Sequence, residues 1–173
     1  MAERGCRDLL EDADGFRLLS VEDRLGIADV GTVCVVVWQG TVTPSRFKRQ
    51  RDALREAAQR HPGRAALLCV VEPTTPPPED AMRNASIDLI ASLSDRLSCV
   101  ACVIEGTGFR AADTRNVLSG MSLRLACPPE VMFAATVAEA APWVVQRCDG
   151  VSCVSLTQAH QQLCRELKRA PIV

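Results

Sequence analysis

The sequence predicts an α/β fold: a mixed, mostly parallel sheet of about five strands flanked by helices, with an extra helix at the C-terminal end. Three observations carry this. Short apolar runs of about 5–8 residues, rich in Val, Ile, Leu and Cys, read as buried strands. Amphipathic stretches of roughly 15–25 residues separate them, enough for a helical crossover between parallel strands. Only the first two runs are joined without a helix, so that pair is expected to be antiparallel.

The elements follow in order. Phe16–Val21 reads as an edge strand that pairs back through a loop around Glu22–Gly31, and Thr32–Trp38 is the first central strand. A helix then opens at Thr43-Pro44, a cap followed by proline at the first helical position, and stops at His61-Pro62-Gly63. Its expected buried stripe is Phe47, Leu54, Ala57 and Ala58. Ala65–Val71 is the next strand. The breaker Pro76-Pro77-Pro78 precedes a second helix, with Glu79 and Asp80 in the first turn, where the dipole favours carboxylates. Met82, Leu89, Leu93 and Leu97 repeat along it. Cys99–Ile104 is a strand, and Ala111–Leu125 a helix that ends before Cys127-Pro128-Pro129. Val131–Ala135 is the last strand. Thr136 with Glu139 three residues on forms a capping box for a fourth helix, in which Pro142 predicts a kink or an early break. After Asp149-Gly150, Leu156, Ala159, Leu163 and Leu167 form one apolar stripe on a final helix, about Ser155–Arg169. The organisation expected is one domain: an N-terminal segment 1–15 within an α/β unit 1–147, and a helical extension 148–173. The final stripe either packs back on the domain or serves self-association or a partner.

Composition excludes several function classes. The chain has 173 residues and a net charge of −1, so no bulk electrostatic term favours nucleic acid or an anionic membrane. There is no Tyr, and other aromatics are few, which removes the stacking platforms of single-strand binders. No apolar run approaches the roughly 20 residues of a membrane span, and the charged start lacks an apolar signal segment. A cytoplasmic protein is expected. The nine cysteines are odd in number and several sit inside apolar runs, as buried thiols do.

The stretches VVVWQGTVTPSRF at 35–47, ALLCVVEPTTPPPE at 66–79, VIEGTGFRAADTR at 103–115 and MFAATVAEAAPWV at 132–144 resemble the STAS domains of anti-sigma-factor antagonists, in particular their SpoIIAA-like branch. The resemblance spans roughly residues 16–147. It implies a non-catalytic regulatory module that binds a protein partner, sometimes with a small or lipidic ligand. In the phosphorylated antagonists a Ser after Asp opens the helix following the third strand. The matching loop here, Glu72–Glu79, has no Asp-Ser pair, and Thr74 and Thr75 are its only hydroxyls.

Independently of family, the C-terminal ends of parallel strands are where such sheets place their sites. The loops 72–79 and 105–110 leave two adjacent ends and should bring Glu72, Thr74, Thr75, Glu105, Thr107 and Arg110 together as a binding surface. Two carboxylates suit acid–base work, but both His residues are placed elsewhere by the sequence reading, so an enzyme is not expected. Gly106 and Gly108 lack the third glycine of a dinucleotide fingerprint. Cys99 and Cys102, three apart on a strand, should point to opposite faces, which argues against a disulfide or redox pair. Cys148, Cys153, His160 and Cys164 are soft or imidazole donors, yet their spacing matches no common zinc finger and two of them fit the edge of the apolar stripe. No metal and no cofactor is expected. The first helix carries Arg46, Lys48, Arg49, Arg51, Arg55 and Arg60, either a solvated face or a dock for an acidic partner. Two functional readings stand ahead of catalysis: surface recognition of a protein, and a carrier with an apolar pocket between sheet and helices.

Overall fold

The computed structural model describes residues 15–124 and 129–170, without the side chains of Phe109, Arg110 and Ser122. Residues 1–14 of the expected N-terminal segment, Leu125, Cys127 and Pro128 at the expected end of the third helix, and the Arg110 side chain lie outside the described residues.

Six strands form one mixed sheet in sequential order, β1 (Phe16–Glu22), β2 (Leu25–Val30), β3 (Val33–Trp38), β4 (Ala65–Val71), β5 (Leu97–Ile104) and β6 (Glu130–Ala134). The antiparallel start is present, but three strands make it rather than two. The loop expected over 22–31 contains β2, which separates β1 from β3, so the expected pair are not neighbours. Asp23 and Arg24, at φ of 51° and 62°, form the two-residue turn that joins β1 to β2. Positive φ at both positions matches the right-handed twist of a hairpin. LGIADV conceals a strand because it carries a glycine and a buried carboxylate. Asp29 survives burial because Arg17 (2.9 Å) and Arg60 both pair with its Oδ2.

From β3 onward every pairing is parallel. The crossings are α1 (Pro44–Arg60), α2 (Asp80–Ser92) and α3 (Phe109–Ser122). Right-handed crossovers along a sheet that grows in one direction put all three helices on one face. The other face is left for α4 (Val137–Val145) and α5 (Cys153–Arg169). Strand alternation supplies both cores. Val35, Val37, Leu68, Val70, Ala101 and Val103 face α4 and α5, while Val36, Leu67 and Val100 face α1 and α2.

Helix ends follow their local chemistry. Thr43 accepts the Arg46 N–H ahead of Pro44, and the expected α1 stripe is buried, with Gln50 added. Glu79 is the N-cap of α2 rather than a first-turn residue, and Leu97 belongs to β5. Thr136 accepts the Glu139 N–H, while the Glu139 carboxylate reaches back to the Ala135 N–H at 2.9 Å. The helix runs through Pro142 and stops at Val145. Ser152 and Ser155 cap α5 reciprocally.

The final helix packs back. Leu156, Ala159, Leu163 and Leu167 are buried against β1–β3 and α4. Gly26 lets it come close, since an added Cβ would lie 3.2 Å from Leu167 and 3.3 Å from Leu163. Each buried leucine contributes about 1.5–3 kcal/mol. The stripe that self-association would have used is consumed within the chain.

Candidate functional site at the strand ends

Register builds the site. Trp38 pairs with Val71 and Val71 with Ile104, so Gln39, Glu72 and Glu105 occupy the next rung of β3, β4 and β5. The ladder reaches them, because the Glu72 N–H donates to Trp38 O and the Glu105 N–H to Val71 O, each at 3.0 Å. Alternation then directs these three polar side chains, one step beyond Val37, Val70 and Val103, toward the α5 face. There α5 presents His160 and Cys164, an i, i+4 pair on one side of the helix.

The groups form a connected chain. Gln39 Nε2 donates to Glu72 Oε1 at 2.8 Å, and the Cys164 thiol donates to the same oxygen at 3.8 Å. Cys164 Sγ lies 3.3 Å from His160 Nε2, which lies 3.5 Å from Glu105 Oε1. This corrects the expectation that both histidines lie away from the carboxylates. His61 does, as the C-cap of α1, but His160 meets Glu105. A His–Cys contact suggests a nucleophile, and the electrostatics oppose it. Burial, then the negative charges of Glu72 and Glu105, push the Cys164 thiol up to about 11. It stays protonated at neutral pH and acts as a hydrogen-bond donor.

The C-terminal donors divide between the two ends of the sheet. Cys148 Sγ lies 3.9 Å from Cys99 Sγ and 3.5 Å from Ser98 Oγ at the start of β5, whereas His160 meets the residue just past its end. Among the described residues, no group of three or more His, Cys, Asp or Glu side chains is placed to hold a metal ion. Cys99 and Cys102 do face opposite cores.

Beside this cluster a crevice of about 340 Å³ opens between the β4 and β5 ends, lined by Glu72, Thr75, Glu105, Gly106 and Thr107 among others. Gly106, at φ +91°, lets the two loops touch, since a Cβ there would stand 3.0 Å from Pro73 Cγ. Of the expected surface, Glu72, Thr75, Glu105 and Thr107 are brought together. Thr74 is exposed and is not among the crevice residues. Thr75 is buried, its hydroxyl donating to Trp38 O at 2.9 Å and its N–H to Glu72 O. It braces the loop.

On the opposite face of the sheet, a cavity of about 130 Å³ lies between the strands and α1, α2 and α3. Trp38, Cys69, Cys102 and Phe133 line it from the sheet, and Phe47, Leu89 and Leu118 from the helices. It exists because α2 is shallowly seated: of its residues only Leu89 is buried, while Met82, Ile87 and Ile90 are half-buried. The Trp38, Gln50 and Ser86 side chains in the lining point to protein partners. Trp38 Nε1 donates to Gln50 Oε1 at 2.7 Å, and Ser86 Oγ to Met82 O at 2.8 Å. Desolvation holds the Cys69 thiol well above its ordinary pKa and Cys102 at about 12, so both are neutral walls. Cavity and crevice share Val71, Thr75 and Thr114 in their linings.

No protein-family model matches the chain, and no curated protein matches its sequence.

The Arg-rich face of α1 is largely paired. Arg46 meets Asp23 at 2.7 Å, Lys48 meets Asp52 at 2.9 Å, Arg49 meets Glu22 at 3.0 Å, and Arg60 meets Asp29. The Arg46, Arg49 and Arg60 pairs lock α1 to the β1–β2 hairpin. No helix among the described residues is long and apolar enough to cross a membrane.

Proposed function

We propose that this protein is a non-catalytic binding module whose ligand is a small, largely apolar molecule held between the sheet and α1, α2 and α3. The observation that carries this reading is the cavity, walled by apolar side chains and by polar groups already bonded to protein. Its volume is close to the roughly 150 Å³ of an apolar cavity that takes up benzene, hence a ligand of about six non-hydrogen atoms. Surface recognition of a protein partner is less well supported. The large exposed hydrophobics among the described residues are Leu123, at the end of α3, and Val154, in α5, and these helices cover opposite faces of the sheet. They form no continuous patch. A regulatory role of the STAS kind fits this reading, because such modules act by recognition and require no chemistry.

Trp38 reports on the cavity directly, and a Trp143→Phe background removes the other indole. Titration with 1-bromobutane, a heavy-atom quencher of that size, should quench Trp38 saturably. Cys69→Phe, which fills the cavity from β4, should abolish the quenching while the protein still melts cooperatively. Cys69→Leu, a smaller fill, serves if the larger one fails to fold. Quenching that never saturates, or that a folded filled variant retains, defeats the reading.

A further inference from the structure

We propose that Cys99 and Cys148 are an oxidative modification site, a dithiol that hydrogen peroxide converts to an intramolecular disulfide and that a dithiol reductant restores. The pair lies at the end of the sheet away from the crevice and is independent of the cavity reading. Cys99 stands near the start of β5, and Cys148 follows α4 in the loop that leads to α5. Both are buried, and their sulfurs are 3.9 Å apart. A disulfide requires about 2.05 Å, so the sulfurs must approach by roughly 2 Å. The loop can supply this movement, because Cys148 belongs to no helix or strand, while β4 and β6 hold Cys99 from both sides.

The two thiols differ in the way that such a reaction needs. The hydrogen bond from Cys99, with smaller ones from Ser98 and Thr32, outweighs burial and holds the Cys148 thiol below its ordinary pKa. The same contact, and then burial, push Cys99 up. Burial also raises Cys34, Cys69, Cys102 and Cys164. Cys148 is thus the thiolate that attacks peroxide. An S–O bond forms, the O–O bond breaks, and hydroxide leaves and takes up the proton that the thiol released, giving water. The Cys99 sulfur then attacks the sulfenic acid on Cys148. The S–S bond forms, the S–O bond breaks, and the hydroxyl leaves with the Cys99 proton as a second water. Two thiols are oxidised and one peroxide is reduced. The bond joins residues 49 positions apart and ties the loop before α5 to β5. Constraint of the unfolded chain then makes the oxidised form harder to unfold.

The test treats the native full-length protein with hydrogen peroxide, alkylates the remaining thiols in urea and sequences the tryptic peptides by mass spectrometry. Peptides 97–110 and 148–165 should be joined through Cys99 and Cys148, with the loss of one pair of alkylatable thiols that dithiothreitol reverses. The urea midpoint should rise on oxidation and return on reduction. Cys148→Ser should abolish both the cross-link and the shift. In Cys99→Ala, which also serves if the serine variant does not fold, dimedone should trap the stranded sulfenic acid on Cys148. Thiols that both stay free under peroxide overturn the assignment. So does a bond from Cys148 to Cys153 or to another chain, or sulfinic acid at Cys148 while Cys99 is still alkylated.

Discussion

Cys164 shows how neighbours set the chemistry of a single residue. Its thiol sits beside an imidazole, the arrangement of a nucleophile, yet two carboxylates face it and burial adds to their effect. The folded-state pKa, about 11, lies above the ordinary 9.0 of an unperturbed thiol. A raised value means that the folded protein prefers the protonated form, so the contribution to stability is complete below about pH 9. It is lost as the pH rises through about 11. Stability measured by urea denaturation should therefore fall on the alkaline side, and Cys164→Ala should flatten that fall. Alkylation of Cys164 at pH 8 should be slow in the native protein and faster in Glu72→Gln, which removes one of the two opposing charges.

Among the elements, α5 and the β2–β3 turn are where the fold is most exposed to single changes. Leu163 is fully buried on the inner face of α5, and Leu163→Ala should cost about 2–5 kcal/mol, read from the shift of a denaturation midpoint. Gly31 is constrained twice. Its φ of +55° disfavours a side chain, and a Cβ there would lie 2.9 Å from Gly150 O and from Val151 Cγ1. Gly31→Ala should thus destabilise, whereas Gly63→Ala, also at positive φ but in open space, should cost less. The difference in midpoint between the two variants isolates the contact between this turn and the α4–α5 loop.

For the whole molecule, crossover handedness decides what the C-terminal segment is for. Three right-handed crossings in one direction leave a face of β1–β3 bare until α5 arrives. The segment 148–170 is accordingly a structural half-layer, and a chain ending at Asp149 should fail to unfold cooperatively in urea. Ligand linkage is also a property of the whole fold. A cavity ligand at a hundred times its dissociation constant should stabilise the native state by about 2.7 kcal/mol. A rise in melting temperature with 1-bromobutane, absent in Cys69→Phe, would show this.

The alternation of strands and crossing helices was legible in the sequence because it depends on local periodicity. So were the α1 and α4 caps, the stripes of α1 and α5, and the opposed faces of Cys99 and Cys102. A period of 2 or 3.6 residues, a Thr before a Pro or a Gly after a helix can each be read within one turn or one strand. Half of the site was legible too: Glu72, Thr75, Glu105 and Thr107 follow strand ends that the apolar runs mark. Gln39 could have been added, because it stands one residue past its strand as Glu72 and Glu105 do. Tertiary structure alone decided the rest. The β2 strand depends on Arg17 and Arg60, distant in sequence, neutralising Asp29. Cys164 meets Glu72 across 92 positions, and no local pattern encodes which strand end a terminal helix will cross. The cavity is a mismatch between the depth at which α2 sits and the sheet beneath it. Such spaces arise from packing among several elements, which periodicity along one chain cannot express.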